Sequence, residues 1–136
     1  MARRGPGIWQ CCTESDTTDS PGLILTVNTT GSYNVAVGTD VLYNATTGDD
    51  NVGIGVNTLG LLTSASDTVA IGNYALDALT TGESNTGVGH QVLTRATTAR
   101  YNTSMGRGSM EAAWMSRGAL LWVDFQKKFP PLLLPH

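Results

Sequence analysis

Short bursts of alternating β-branched and small residues punctuate the middle of the chain: Val35-Ala36-Val37, Val52-Gly53-Ile54 and Val69-Ala70-Ile71. Weaker copies follow at Thr86-Gly87-Val88 and Thr103-Ser104-Met105. A period of two predicts strands, with the β-branched residues gathered on one face. On this reading Val35, Val37, Val52, Ile54, Val69, Ile71, Val88 and Met105 fill the core. The intervening column of Ala36, Gly53, Ala70, Gly87 and Ser104 is always small. It predicts close approach by another sheet or another chain.

The bursts recur every seventeen residues, beginning at Asn34, Asn51, Thr68, Asn85 and Asn102. A glycine closes each one, at Gly38, Gly55, Gly72, Gly89 and Gly106, where the chain must turn a corner that glycine takes without side-chain penalty. Four residues on stand Leu42, Leu59, Leu76, Leu93 and finally Met110. Pieces such as Thr30-Gly31, Thr47-Gly48 and Thr81-Gly82 suit a second corner. LTVNTTG, Leu25 to Gly31, extends the register by half a unit, so the repeat region runs over 25–110.

A unit of seventeen suits two short strands and two turns, with the leucines pointing inward from the second strand. One unit cannot bury its apolar residues alone, but stacked units can. Strands stack about 4.8 Å apart, so five turns make a rod of only roughly 24 Å. The core is thin and oligomerisation is the expected remedy.

Composition narrows the field further. Charged residues are 14% of the 136, below the roughly 25% usual for globular proteins. The net charge is -3, and no Lys or Arg occurs between Gly31 and Arg95. Nucleic acid is therefore not an expected partner. Cys11 and Cys12 are neighbours and make no disulfide framework. MARRGPGIWQ lacks the apolar run of a secretory leader, and the leucine runs are too short for a membrane span or insertion.

Candidate chemistry is sparse, and the expected reading is non-enzymatic, with no cofactor, metal site or catalytic residue. His90 reads as an exposed corner residue with no second ligand spaced for zinc. Asp49, Asp50 and Asp67 read as turn acids, since the calcium-roll phrase is absent. Asp40, Asp77 and Arg95 supply no convincing catalytic cluster. Thr29-Thr30, Thr46-Thr47, Thr63-Ser64, Thr80-Thr81 and Thr97-Thr98 form a ladder that suggests an ice-binding β-solenoid as the alternative function.

Units such as TGSYNVAVGTDVLYNAT and TGDDNVGIGVNTLGLLT resemble the head repeats of trimeric autotransporter adhesins. They resemble still more the longer variant of that repeat in phage tail fibres. The resemblance implies an all-β fold, a left-handed parallel β-roll of about five seventeen-residue turns, packed as a homotrimer. It also implies attachment to a host cell-surface glycan or protein, on a virion or a bacterial cell surface.

Both flanks differ in composition, holding all three Trp and all five Pro. Residues 1–24 are expected to be irregular and 111–136 to hold a capping helix with a Pro/Leu-rich tail. Ser109 offers that helix an N-cap, Lys127 and Lys128 close its last turn, and Pro130 stops it, giving Ser109–Lys128. Gly118 in its middle costs about 1 kcal/mol.

Overall fold

The computed structural model describes residues 9–11, 25, 27–110, 118 and 120–122. Among the described residues seven strands form one parallel sheet in chain order: β1 (Trp9–Cys11), β2 (Val35–Thr39), β3 (Val52–Val56), β4 (Val69–Ile71), β5 (Thr86–Val88), β6 (Thr103–Met105) and β7 (Leu120–Trp122). Pairing follows the repeat, with Val35 beside Val52, Val52 beside Val69, Val69 beside Thr86 and Thr86 beside Thr103. The chain is an all-β solenoid, with four full turns between β2 and β6.

Each turn holds one strand, not the expected two. The return leg is a series of bends, and its leucines sit in the left-handed region: Leu42 at φ 52, Leu59 at 55, Leu76 at 51 and Leu93 at 51. That conformation costs a non-glycine residue roughly 1–2 kcal/mol. Full burial of a leucine returns about 1.5–3 kcal/mol, and all four are fully buried. The bend also aims each amide at the next turn, as Leu42 N–H donates to Thr58 O at 3.1 Å and Leu76 N–H to Val92 O at 2.9 Å. Burial and pairing together outweigh the backbone cost.

The strand faces are reversed relative to the sequence expectation. Ala36, Ala70 and Ser104 are fully buried, and Gly53 and Gly87 are buried with them. Val35, Val37, Val52, Val69, Val88 and Met105 are only half-buried, while Ile54 and Ile71 are 36% and 37% exposed. The return leg explains the reversal. A Cβ on Gly53 would lie 2.5 Å from Val41 Cγ1, and one on Gly87 would lie 3.0 Å from both Leu76 Cδ1 and Val92 Cγ1. Leucines already fill the narrow interior, so only a small side chain fits opposite them. The larger β-branched residues are turned outward.

The core therefore belongs to Leu25, Leu42, Leu59, Leu76 and Leu93, joined by Val41, Ala75, Val92, Leu62 and Leu79. The glycines do take positive φ at the strand ends: Gly72, Gly89 and Gly106 just past β4, β5 and β6, and Gly38 (φ 129) and Gly55 (φ 143) one residue before the ends of β2 and β3. A Cβ on Gly55 would fall 2.7 Å from both Gly72 O and Thr58 Oγ1, so the stack is too tight there for a side chain.

Both flank expectations need correction. Leu120 pairs with Thr103, which continues the seventeen-residue register into a strand where a helix was expected. Gly118 explains the change. At φ 69 it takes the left-handed corner of Tyr101, Ser84, Asp67, Asp50 and Tyr33, and its N–H donates to Arg100 O at 3.0 Å. The residue that would weaken a helix makes this bend. At the other end β1 pairs with Val35–Val37, so 1–24 contains a strand. The rest of both flanks, and with them most of the capping helix, lie outside the described residues.

Candidate functional site

Two internal ladders hold the turns and use up polar groups that the sequence displays. The first runs through asparagines that are fully buried: Asn34, Asn51, Asn85 and Asn102. Asn51 Nδ2 donates to Asn34 Oδ1 at 3.0 Å and to Ala65 O at 2.8 Å, while Asn51 Oδ1 accepts Thr68 N–H at 3.1 Å. Asn85 and Asn102 repeat the pattern. A buried amide left without partners would be costly, so each turn completes the one before it. Recurrence of Asn at a fixed spacing was the signal for this column, but the sequence did not show that it points inward.

The second ladder is threonine. Thr29, Thr46, Thr63 and Thr80 each donate a hydroxyl to the carbonyl of the threonine one turn on, at 2.9–3.1 Å. Thr30, Thr47, Ser64, Thr81 and Thr98 are the exposed partners. The hydrogen-bonded file is half-buried at Thr46, Thr63 and Thr80 and exposed at its ends, Thr29 and Thr97.

The turn acids serve the stack as well. Asp49 Oδ1 accepts Ser32 N–H at 2.7 Å, and Asp49 N–H donates to Ser66 Oγ at 3.0 Å. Asp50 and Asp67 take left-handed corners at φ 56, a conformation that Asp tolerates better than most residues. An exposed ion pair, Arg100 Nη1 to Glu83 Oε1 at 2.9 Å, links two later turns. Among the described residues no group of three His, Cys, Asp or Glu side chains is placed to hold a metal ion. No helix among them is long and apolar enough to cross a membrane.

One region departs from this regularity. Just past the ends of β2, β3 and β4 lies a cleft of about 550 Å³, lined by Asp40, Tyr43, Asn44, Asn57, Gly60, Leu61, Tyr74 and Asp77. Two columns of the repeat meet there: Asp40, Asn57 and Tyr74 on successive turns, and Tyr43, Gly60 and Asp77 on the same turns. Gly60 opens the space. A Cβ at that position would meet only Asn57 O, at 3.7 Å. Asn44 Nδ2 fixes the wall by donating to Gly60 O at 2.7 Å.

The polar groups of the cleft are not equivalent. Asp77 is half-buried and its Oδ1 has no hydrogen-bond partner. Burial pushes its carboxyl above the ordinary carboxylate value, opposed by N–H groups of Ala78 and of Asp77 itself. Tyr74 meets His90 edge to face, with ring centroids 6.3 Å apart and planes at 79°. His90 is exposed, and it props a ring of the cleft wall.

The fold thus brings Asp40 and Asp77 into one cleft, while Arg95 does not line it. Tyr43, Gly60 and Tyr74 gave no signal in the sequence beyond breaking their columns. Comparison with protein-family models, with curated proteins and with solved structures finds no match.

Proposed function

We propose that the chain is a non-enzymatic fibre segment, three copies packing side by side, that serves attachment in a phage tail fibre or a bacterial surface adhesin. The observation that carries this reading is the outer face of the sheet. Parallel sheets are normally covered on both faces, yet here Val37, Ile54, Ile71, Val88 and Met105 form one outward file and Val35, Val52 and Val69, continued by Thr86 and Thr103, the other, with no charged residue in either. An uncharged apolar surface of this kind suits a symmetric interface between copies of one chain. The thin core of each copy gives a second reason for assembly.

The test is sedimentation of the full chain at micromolar concentration. A trimer is expected, and Ile54→Lys with Ile71→Lys should give monomers, since two buried unpaired charges per copy would be costly. A wild-type chain that sediments as a folded monomer ends the reading.

A further inference from the structure

We infer that the Gly60 cleft is a binding site for an uncharged pyranose of a surface glycan, an inference that rests on the attachment reading above. Its size, about 550 Å³, lies within the roughly 300–1,000 Å³ of small-molecule sites. Its walls combine two aromatic rings, Tyr43 and Tyr74, with two carboxylates and two amides. A pyranose has one face of C–H groups and a rim of hydroxyls. The C–H face packs on an apolar ring, and the hydroxyls need acceptors at the side. Tyrosine supplies a rigid ring with a polar tip at low entropic cost.

The acceptors are in place. Asp77 lines the cleft with a carboxylate, an acceptor for ligand hydroxyls. Asp40 stands on the same cleft. With two carboxylates and no Lys, Arg or His among the lining residues, an acidic sugar or a phosphate would meet repulsion. The edge contact with His90 holds the Tyr74 ring upright before any ligand arrives. One weak site per chain becomes effective when an assembled fibre presents several at once.

The experiment uses the full chain, with methyl hexosides and short neutral oligosaccharides followed by saturation-transfer NMR and calorimetry. Sialylated and uronate sugars and choline serve as comparison ligands. Neutral sugars are expected to bind at about millimolar Kd. Gly60→Trp fills the space and Tyr74→Ala removes a wall; each should weaken binding by roughly tenfold or more. Gly60→Ala, a smaller change, should keep most of it.

Adhesion to cells is measured in parallel. Neutral sugars giving no signal at about 10 mM, or unchanged binding in Gly60→Trp, overturns the cleft assignment even where adhesion persists. A preference for acidic sugars or for choline overturns it as well. Sugar binding in the cleft by a chain that adheres to no surface would instead overturn the attachment reading.

Discussion

Asn51 and Gly60 lie nine positions apart in one turn of the solenoid, and they obey different rules. The column of Asn51 repeats almost without change, is fully buried and has its amides matched turn to turn. The column of Gly60 changes identity at every turn, from Tyr43 to Gly60 to Asp77, and opens a cleft. The contrast has a physical origin. An inward position sees only its own kind above and below, so a residue that satisfies itself in register is favoured at every turn. An outward position on the return leg touches solvent and can vary without cost to the stack. Repeated columns build the rod, and varied ones shape its surface.

Substitution at each place would sharpen that contrast. Asn51→Leu should have the largest effect. It strands Ala65 O and Thr68 N–H inside the core and leaves Asn34 Oδ1 only the backbone N–H of residue 51, and at about 1–3 kcal/mol for each stranded group the loss should be large in chemical denaturation. Next comes Gly55→Ala, where a Cβ meets Gly72 O at 2.7 Å and the backbone sits at φ 143. A loss of about 2–3 kcal/mol is expected by the same measurement.

Gly60→Ala, five residues further on, should change stability by no more than roughly 0.5 kcal/mol and in the stabilising direction, because open space and an ordinary φ leave only the unfolded-state entropy to act. A loss comparable to that of Gly55→Ala would break the contrast. The smallest effect belongs to Asp77→Asn. Folding raises the Asp77 carboxyl above its unfolded value, so the native state binds the extra proton and ionised Asp77 disfavours folding. Stability from this group is fully present below the unfolded pKa and is lost as pH rises through the folded one. Asp77→Asn should therefore raise Tm slightly at pH 7 and leave it nearly unchanged at pH 3, as thermal melts at the two values would reveal.

Much of the fold was legible because a strict period leaves few alternatives. Five glycines and five leucine-type residues in register define a parallel stack whatever the detailed path. The same logic reaches Leu120, whose seventeen-residue offset from Thr103 was readable but was masked by helix signals at Ser109, Lys127 and Lys128. The strand faces were not legible. Alternation says that Val35 and Ala36 face opposite ways, but not which of them faces inward. That choice depended on how much of the interior Leu42, Leu59 and Val41 already occupied, a quantity of packing across the turn. The cleft was hidden for a related reason, since Tyr43, Gly60, Tyr74 and Asp77 come together only when three turns are stacked.

The amino-acid sequence alone thus determined the repeat length, the parallel order of strands and the glycine corners, because these follow from local backbone preference multiplied by a fixed period. Tertiary structure decided which face of each strand is buried, that the return leg bends through left-handed leucines, and that the Gly60 column opens to solvent. Those outcomes depend on the volume left over after neighbouring turns pack, and no single turn contains that information.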